Sequence, residues 1–129
     1  MHEEISAEVD MIAAAVVEAA FKVHRALGPG LLESVYEACV CHELAKSHIP
    51  FQRQLALPVI YDGCRLESGL RIDLLVADSV VVELKASEQH QSLFEAQLLT
   101  YLKLSERRLG LLINFNVRYL KEGIKRVIL

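Results

Sequence analysis

Two short apolar segments in the middle of the chain constrain its fold more than any other feature. Residues 79–85 are rich in β-branched valine and predict a strand, so Glu83 and Lys85, two positions apart, lie on the same face. Residues 70–76 predict a second strand that carries Asp73, and the link between the two segments predicts a tight turn. The resulting hairpin brings Asp73 beside Glu83, so that two acids and a lysine lie close together.

The composition indicates one compact domain. With 129 residues, of which 53% are hydrophobic, the chain is long enough for a single core, and we expect residues 1–129 to form one domain. No uncharged apolar run reaches the roughly 18 residues of a membrane helix, and the amino terminus is acidic rather than basic, so neither a membrane span nor a signal peptide is predicted. The three cysteines lack a Cys-x-x-Cys pair, which fits reduced thiols. We therefore predict a cytoplasmic protein with no membrane association.

The charge of the chain is unevenly distributed. A formal net charge of -3 argues against strong nucleic-acid binding, because Lys and Arg side chains dominate the affinity for phosphates. From residue 103 onward, however, the chain holds seven positive and only two negative groups, a net charge of +5. Residues 1–50 hold three positive and eight negative groups, a net charge of -5. The basic segment is therefore available for DNA, or else for attraction to the acidic half of the chain.

Helical periodicity predicts two helices in the first half of the chain. Residues 6–26 show apolar positions at helical spacing, and the glycines and proline of residues 27–30 end that helix. A second helix is predicted from about residue 31 to 47, with Glu33, Glu37 and Lys46 largely outside its buried stripe. That stripe comprises Leu32, Val35, Tyr36, Cys39, Val40 and Leu44.

The second half predicts strands around a third helix. Residues 54–61 and 65–76 predict two strands that pair across an Asp62-Gly63 turn and continue into the strand at 79–85 as a three-stranded meander. A helix is predicted over residues 90–103, followed by a strand at 109–115 that is buried on both faces and pairs in parallel. Residues 117–129 predict edge strands or a tail.

Further polar residues extend the acidic cluster. Gln97 and Tyr101 are four apart on the third helix and share one face, and Glu33 lies at the start of the second helix. With these residues the chain resembles the PD-(D/E)XK nuclease superfamily over roughly residues 28–115. Within it, the chain is similar to the group named for the motif G-x-x-E-x-x-Y, here residues 30–36, and its Gln-x-x-x-Tyr helix is similar to that of RecB-like nucleases. The resemblance implies an α/β, restriction-endonuclease-like αβββαβ core, with a mixed central sheet flanked by helices, an extra N-terminal helix and C-terminal strands.

The resemblance also implies a role for each candidate residue. Asp73 and Glu83 would bind a divalent metal ion, Mg²⁺ or Mn²⁺, and Lys85 would help to activate water. Glu33 and the backbone carbonyl of Leu84 would complete the metal shell. Gln97, Tyr101 and Tyr36 would support the site. Hard ions of this kind prefer carboxylate oxygens, backbone carbonyls and water, so the residue types fit the chemistry.

The expected function is metal-dependent hydrolysis of phosphodiester bonds in DNA, with RNA as the second choice. The alternative is a catalytically silent module of the same fold that binds a nucleic acid or a partner protein. Because the chain is short, we expect a protein partner or a homo-oligomer to select the target. For single residues the structural alternatives are a surface ion pair for Glu83 and Lys85, and core aromatic positions for Tyr36 and Tyr101.

Overall fold

A computed structural model describes residues 4–88 and 91–129, and within these residues the chain forms three α-helices and seven β-strands. The helices are α1 (Ala7–Leu27), α2 (Glu33–Lys46) and α3 (Gln91–Ser105). The strands are β1 (Phe51–Ala56), β2 (Val59–Tyr61), β3 (Cys64–Leu66), β4 (Arg71–Val76), β5 (Val80–Lys85), β6 (Leu109–Asn114) and β7 (Ile124–Ile128). A short 3₁₀ turn, Leu120–Gly123, precedes β7.

The two N-terminal helices have clear start and stop signals. The Ser6 side chain accepts a hydrogen bond from the Val9 amide at 3.2 Å and caps α1, and Gly28 ends the helix with a φ of 70°. The prediction of a helix over residues 6–26 is therefore confirmed. The second helix begins at Glu33 rather than at 31, because the chain is still extended at Leu32. Among the described residues, no helix has both the length and the apolarity that crossing a bilayer requires.

The predicted buried stripe of α2 is wrong at several positions. Leu32 is 74% exposed, Val35 is also exposed and Cys39 is only half-buried, whereas Glu37 is buried. The apolar residues that the helix buries are Tyr36, Val40, Cys41 and Leu44. The stripe is rotated toward Glu37 because β1 supplies hydrogen-bond donors to its carboxylate, as described below. The first turn of α2, by contrast, leaves its apolar side chains at the surface.

The central sheet has five strands in the order β1-β4-β5-β6-β7. The β5–β6 pair is parallel and the other pairs are antiparallel, so the predicted mixed sheet is confirmed. The core elements α2, β1, β4, β5, α3 and β6 follow one another in the expected αβββαβ order. Helix α1 precedes this core, and β7 is the edge strand that follows it within the described residues.

The predicted long strands at 54–61 and 65–76 are wrong, because the chain leaves the sheet between them. Strand β1 pairs with β4 from Phe51↔Val76 to Ala56↔Arg71, while β2 and β3 form a separate two-stranded ribbon. Pro58, which has no N–H, lies at one exit point, and Gly69, with a φ of 75°, lies at the other. The Asp62-Gly63 turn of the ribbon is confirmed, and both of its residues have positive φ.

Helices cover both faces of the sheet. Helices α1 and α2 pack on one face, where Val80, Val82 and Leu84 of β5 join their core. Helix α3 packs on the other face, where Val81 contacts the cluster that includes Leu98 and Leu102. Every residue of β6 is buried, as predicted for a strand covered on both sides. The predicted first residue of α3, His90, lies outside the described residues.

Candidate active site

The regular pairing of β4 with β5 stops where the predicted acids begin. The register runs from Val76↔Val80 to Leu74↔Val82. Beyond this point, hydrogen bonds to side chains join the two strands. The Leu84 amide donates to Asp73 Oδ2 at 2.8 Å, and the Asp73 amide donates to Glu83 Oε2 at 3.3 Å. Each carboxylate thus accepts a hydrogen bond from the backbone of the opposite strand. The predicted juxtaposition of Asp73 and Glu83 is confirmed.

Strand β4 also changes its facing at Asp73. Residues two apart on a regular strand share a face, yet Leu74 packs with the core under α1 and α2 and Ile72 packs with the core under α3. Gln54 of β1, between the pairs Arg53↔Leu74 and Leu55↔Ile72, has a φ of 50°. One residue of each strand, Gln54 and Asp73, lies between these pairs, so the irregularity is a local distortion without an inserted residue. It frees the Asp73 side chain from the normal alternation.

Two carboxylates therefore lie together in a largely buried place. Glu83 is only 3% exposed, and Asp73 is half-buried. Burial raises the pKa of Glu83 to about 10; the adjacent Asp73 carboxyl group adds to the rise, whereas the positive charge of Lys85 lowers the pKa. At neutral pH the metal-free pair consequently retains a proton rather than two full negative charges.

Lys85 is held beside the acids by α3. Its amine donates to Gln97 Oε1 at 3.2 Å and lies 4.7 Å from the centre of the Phe94 ring. Tyr101 lies next to Gln97, on the same face of α3. Burial raises the pKa of Tyr101, and the charges of Glu83 and Asp73 raise it further. Lys85, Gln97 and Tyr101 thus lie together next to the carboxylates.

Glu33 reaches the same site from the first turn of α2. Partial burial raises the pKa of its carboxylate and Asp73 adds to that rise, while Lys85 and a backbone hydrogen bond from Ala86 lower it. A cleft of about 270 Å³ lies between α2 and the sheet, and Glu33, Gln54, Asp73 and Leu84 are among its lining residues. Glu33 and Asp73 therefore face one cavity, although they come from distant parts of the sequence.

Comparison with known proteins agrees with this geometry. The model of the PD-(D/E)XK nuclease superfamily matches residues 10–127, which is most of the chain. The chain belongs to this superfamily. No curated protein and no solved structure matches it. The mixed sheet with its flanking helices is the restriction-endonuclease-like fold of the superfamily.

The sequence analysis did not predict two polar residues of this site, Glu37 and Gln54. Glu37 is 8% exposed, and its carboxylate accepts hydrogen bonds from Arg53 Nη2 at 3.0 Å and from Gln54 Nε2 at 2.7 Å. The same Gln54 nitrogen is 3.2 Å from Asp73 Oδ1. Gln54 therefore connects the α2 carboxylate to the catalytic candidate. The spacing of Glu33 and Glu37, four residues apart on one helix face, was the available signal.

Tyr36 lies in the core, beside the loop between α1 and α2. Its ring is fully buried and stacks on Phe115, with ring centroids 4.3 Å apart. Its hydroxyl donates to the Gly28 carbonyl at 2.6 Å and accepts from the Leu31 amide at 3.1 Å. The structure thus places Tyr36 in the core, where it fixes the loop that precedes Glu33, rather than among the acids.

The donor set fits a hard divalent ion only in part. Within residues 4–88 and 91–129, no three His, Cys, Asp or Glu side chains converge closely enough to cage an ion. Mg²⁺, however, usually keeps several waters and binds through one or two carboxylates. The Asp73–Glu83 pair meets that requirement. Burial first and the adjacent Asp73 carboxyl group second raise the pKa of Glu83, and a cation would favour the charged form of both acids.

Proposed function

We propose that this chain is a divalent-metal-dependent nuclease that hydrolyses phosphodiester bonds in DNA, with RNA as the second choice. The observation that supports it best is the Asp73–Glu83 carboxylate pair with the Lys85 amine held beside it by Gln97. A surface ion pair would not need a buried glutamate or a glutamine that fixes the lysine. Superfamily membership supports the same class of reaction.

Each site residue has a distinct proposed role. Asp73 and Glu83 would hold Mg²⁺ or Mn²⁺, with Glu33 and the Leu84 carbonyl as further oxygen donors. When bound, such an ion supplies a water of lowered pKa and neutralises charge on the phosphate. Lys85 would orient the attacking water or hold the scissile phosphate. Gln97 and Tyr101 would fix the position of the Lys85 amine, and Tyr36 would fix the loop before Glu33.

The finer assignment to the group named for G-x-x-E-x-x-Y is part of the proposal. Gly30 has a φ of 99°, which favours glycine, Glu33 lines the acidic cleft, and the Tyr36 hydroxyl bonds the residues between α1 and α2. The three motif residues thus have complementary structural tasks. We also propose that residues 1–129 form one domain and that the protein acts in the cytoplasm.

Cleavage assays test the assignment. The protein would be incubated with single- and double-stranded DNA and RNA in Mg²⁺, Mn²⁺ or EDTA, together with Asp73→Ala and Lys85→Ala variants. Asp62→Ala, in the ribbon turn, and Lys103→Ala, on the exposed side of α3, are the matched controls. We expect metal-dependent cleavage that both site variants abolish and both controls retain.

Two outcomes would contradict the proposal in different ways. Cleavage that survives both Asp73→Ala and Lys85→Ala would show that the site lies elsewhere. Absence of cleavage on every substrate, with no metal binding by calorimetry, would favour the silent module that binds nucleic acid or a partner protein. Metal binding without cleavage would mean that a homo-oligomer or protein partner has to complete the active enzyme.

A further inference from the structure

A second cleft, rich in basic and aromatic groups, lies at the carboxyl end of α1. It has a volume of about 440 Å³, and its lining includes Phe21, Arg25, Pro29, Arg118, Tyr119 and Lys121. We call it the Tyr119 cleft. Among the residues that the structure describes, no aspartate or glutamate contributes to its lining. The cleft therefore favours an anionic ligand that also presents a flat apolar surface.

The cations of the Tyr119 cleft are not neutralised within the described chain. Lys125 pairs with Glu95, Arg126 with Asp10 and Arg107 with Asp78, so much of the basic C-terminal segment is internally balanced. Across residues 4–88 and 91–129, by contrast, Arg25, Arg118 and Lys121 form no ion pair. All three are exposed at the cleft and are available to phosphates.

Tyr119 adds a stacking surface that the fold holds in place. Its ring is 54% exposed, and the Arg118 guanidinium lies 5.3 Å from the ring centre. The loop is fixed on one side by His24 Nε2, 2.8 Å from the Val117 carbonyl. On the other side Gly123 approaches β6 so closely that an added Cβ would lie 2.1 Å from the Asn114 carbonyl oxygen. A ring on a fixed loop loses little entropy when a base stacks on it.

A chain of contacts through the core links the Tyr119 cleft to the acidic site. The Lys85 carbonyl accepts from the Phe115 amide at 2.8 Å, and the Phe115 ring stacks on Tyr36. The Tyr36 hydroxyl then bonds Gly28, which lines the Tyr119 cleft. Phe115 and Tyr36 therefore connect the two sites through the core.

We propose that the Tyr119 cleft binds an unpaired nucleotide of single-stranded DNA. Tyr119 and Arg118 stack on the base, and Arg25 and Lys121 contact the flanking phosphates. Stacking needs a base that is free of its complement, so the cleft selects single strands, or single-stranded ends, over a continuous duplex. This inference rests on the proposed nuclease function and names its substrate class.

Binding without cleavage tests the inference separately from catalysis. The full chain in EDTA would be titrated into fluorescently labelled single-stranded DNA of about 15 nucleotides, a length that covers one such site, and anisotropy would be recorded. We expect Tyr119→Ala to weaken binding roughly 5- to 150-fold, the range for loss of one stacked base, and Tyr119→Phe to bind like the wild type. Tyr61→Ala, which removes a 72% exposed tyrosine from the ribbon, is the matched control.

Each outcome supports or overturns the inference about the Tyr119 cleft, whether or not the protein cleaves DNA. A selective loss in Tyr119→Ala supports the inference even if no cleavage is ever found. The inference is overturned if Tyr119→Ala binds as tightly as Tyr61→Ala, or if the wild type binds no single-stranded DNA. Preferential binding of a blunt duplex of the same sequence would overturn it as well.

Discussion

Glu83 is unusual because its carboxyl group is buried next to a second carboxyl group. Burial and the neighbouring Asp73 both raise its pKa, and Lys85 offsets this only in part. The backbone hydrogen bonds that the two acids accept hold the ends of β4 and β5 together, so the pair has a structural task as well as a proposed catalytic one. The same two residues thus couple the stability of the sheet to the charge state of the site.

The raised pKa of Glu83 predicts that the metal-free protein loses stability as pH increases. The folded protein retains a proton that the unfolded chain releases above the ordinary glutamate pKa of 4.5. The free energy of unfolding should therefore fall from about pH 5 to about pH 9, by at most about 1.4 kcal/mol per pH unit. Glu83→Gln, which has no proton to lose, should flatten this slope in urea unfolding curves recorded in EDTA. Identical slopes in wild type and Glu83→Gln would contradict the prediction, and Glu67→Gln, at an exposed position, is the control.

Substitution of Gln97 by leucine should lower activity without loss of the fold. Gln97→Leu removes the acceptor for the Lys85 amine and the polar neighbour of Tyr101. Because a hydrogen bond to a charged group contributes about 1.5–3 kcal/mol, kcat/KM should fall roughly 10- to 150-fold. Gln97→Glu keeps an acceptor for Lys85 and should recover part of the loss. Equal activity of Gln97→Leu and wild type, with unchanged circular dichroism, would remove Gln97 from the site.

Elements whose signals are local were predictable from sequence, and elements that depend on distant partners were not. The Ser6 cap, the valine run of β5 and the largely apolar β6 lie within their own segments, and their predicted strands and helix are confirmed. The pairing of β1 with β4 depends on residues far apart in sequence. The prediction of continuous strands was wrong because it overlooked Pro58 and Gly69, at which the chain leaves the sheet.

The same distinction explains what was missed in the site. Asp73, Glu83 and Lys85 stand out within two adjacent strands, so their proximity followed from strand periodicity. Glu37 is buried because Arg53 and Gln54 donate to it, and both lie on a different element. The four-residue spacing of Glu33 and Glu37 places both on one face of α2, but it does not show that Glu37 is buried.

Removal of the Tyr36 hydroxyl should destabilise the loop between α1 and α2, which precedes Glu33. Tyr36→Phe keeps the stack on Phe115 but leaves the Gly28 carbonyl and the Leu31 amide without their partner. We expect the free energy of unfolding to fall by about 1–3 kcal/mol, as for other buried groups that lose a hydrogen bond. Urea unfolding would measure this, with Tyr61→Phe, an exposed tyrosine, as the control. A loss no larger than that of the control would mean that the hydroxyl is dispensable.

Across the whole molecule, internal ion pairs absorb much of the basic charge of the C-terminal segment. The pair Arg126–Asp10 joins β7 to α1, and Lys125–Glu95 joins β7 to α3. These exposed pairs contribute at most about 1 kcal/mol each to stability, so their larger effect is on charge. Attraction between the acidic and basic halves is therefore present, and the unpaired cations of the Tyr119 cleft are left for a ligand.

The small number of available cations predicts weak salt dependence of DNA binding. Each phosphate neutralised on a single strand contributes about -0.7 to the slope of log association constant against log salt concentration. Arg25, Arg118 and Lys121 together should give a slope of about -2, and Arg118→Ala should reduce its magnitude by about 0.7. Anisotropy titrations in EDTA at several salt concentrations would measure both slopes, with Arg65→Ala in the ribbon as a charge-matched control. A wild-type slope steeper than about -4 would mean that other basic residues carry the contact, because three phosphates cannot release that many counterions.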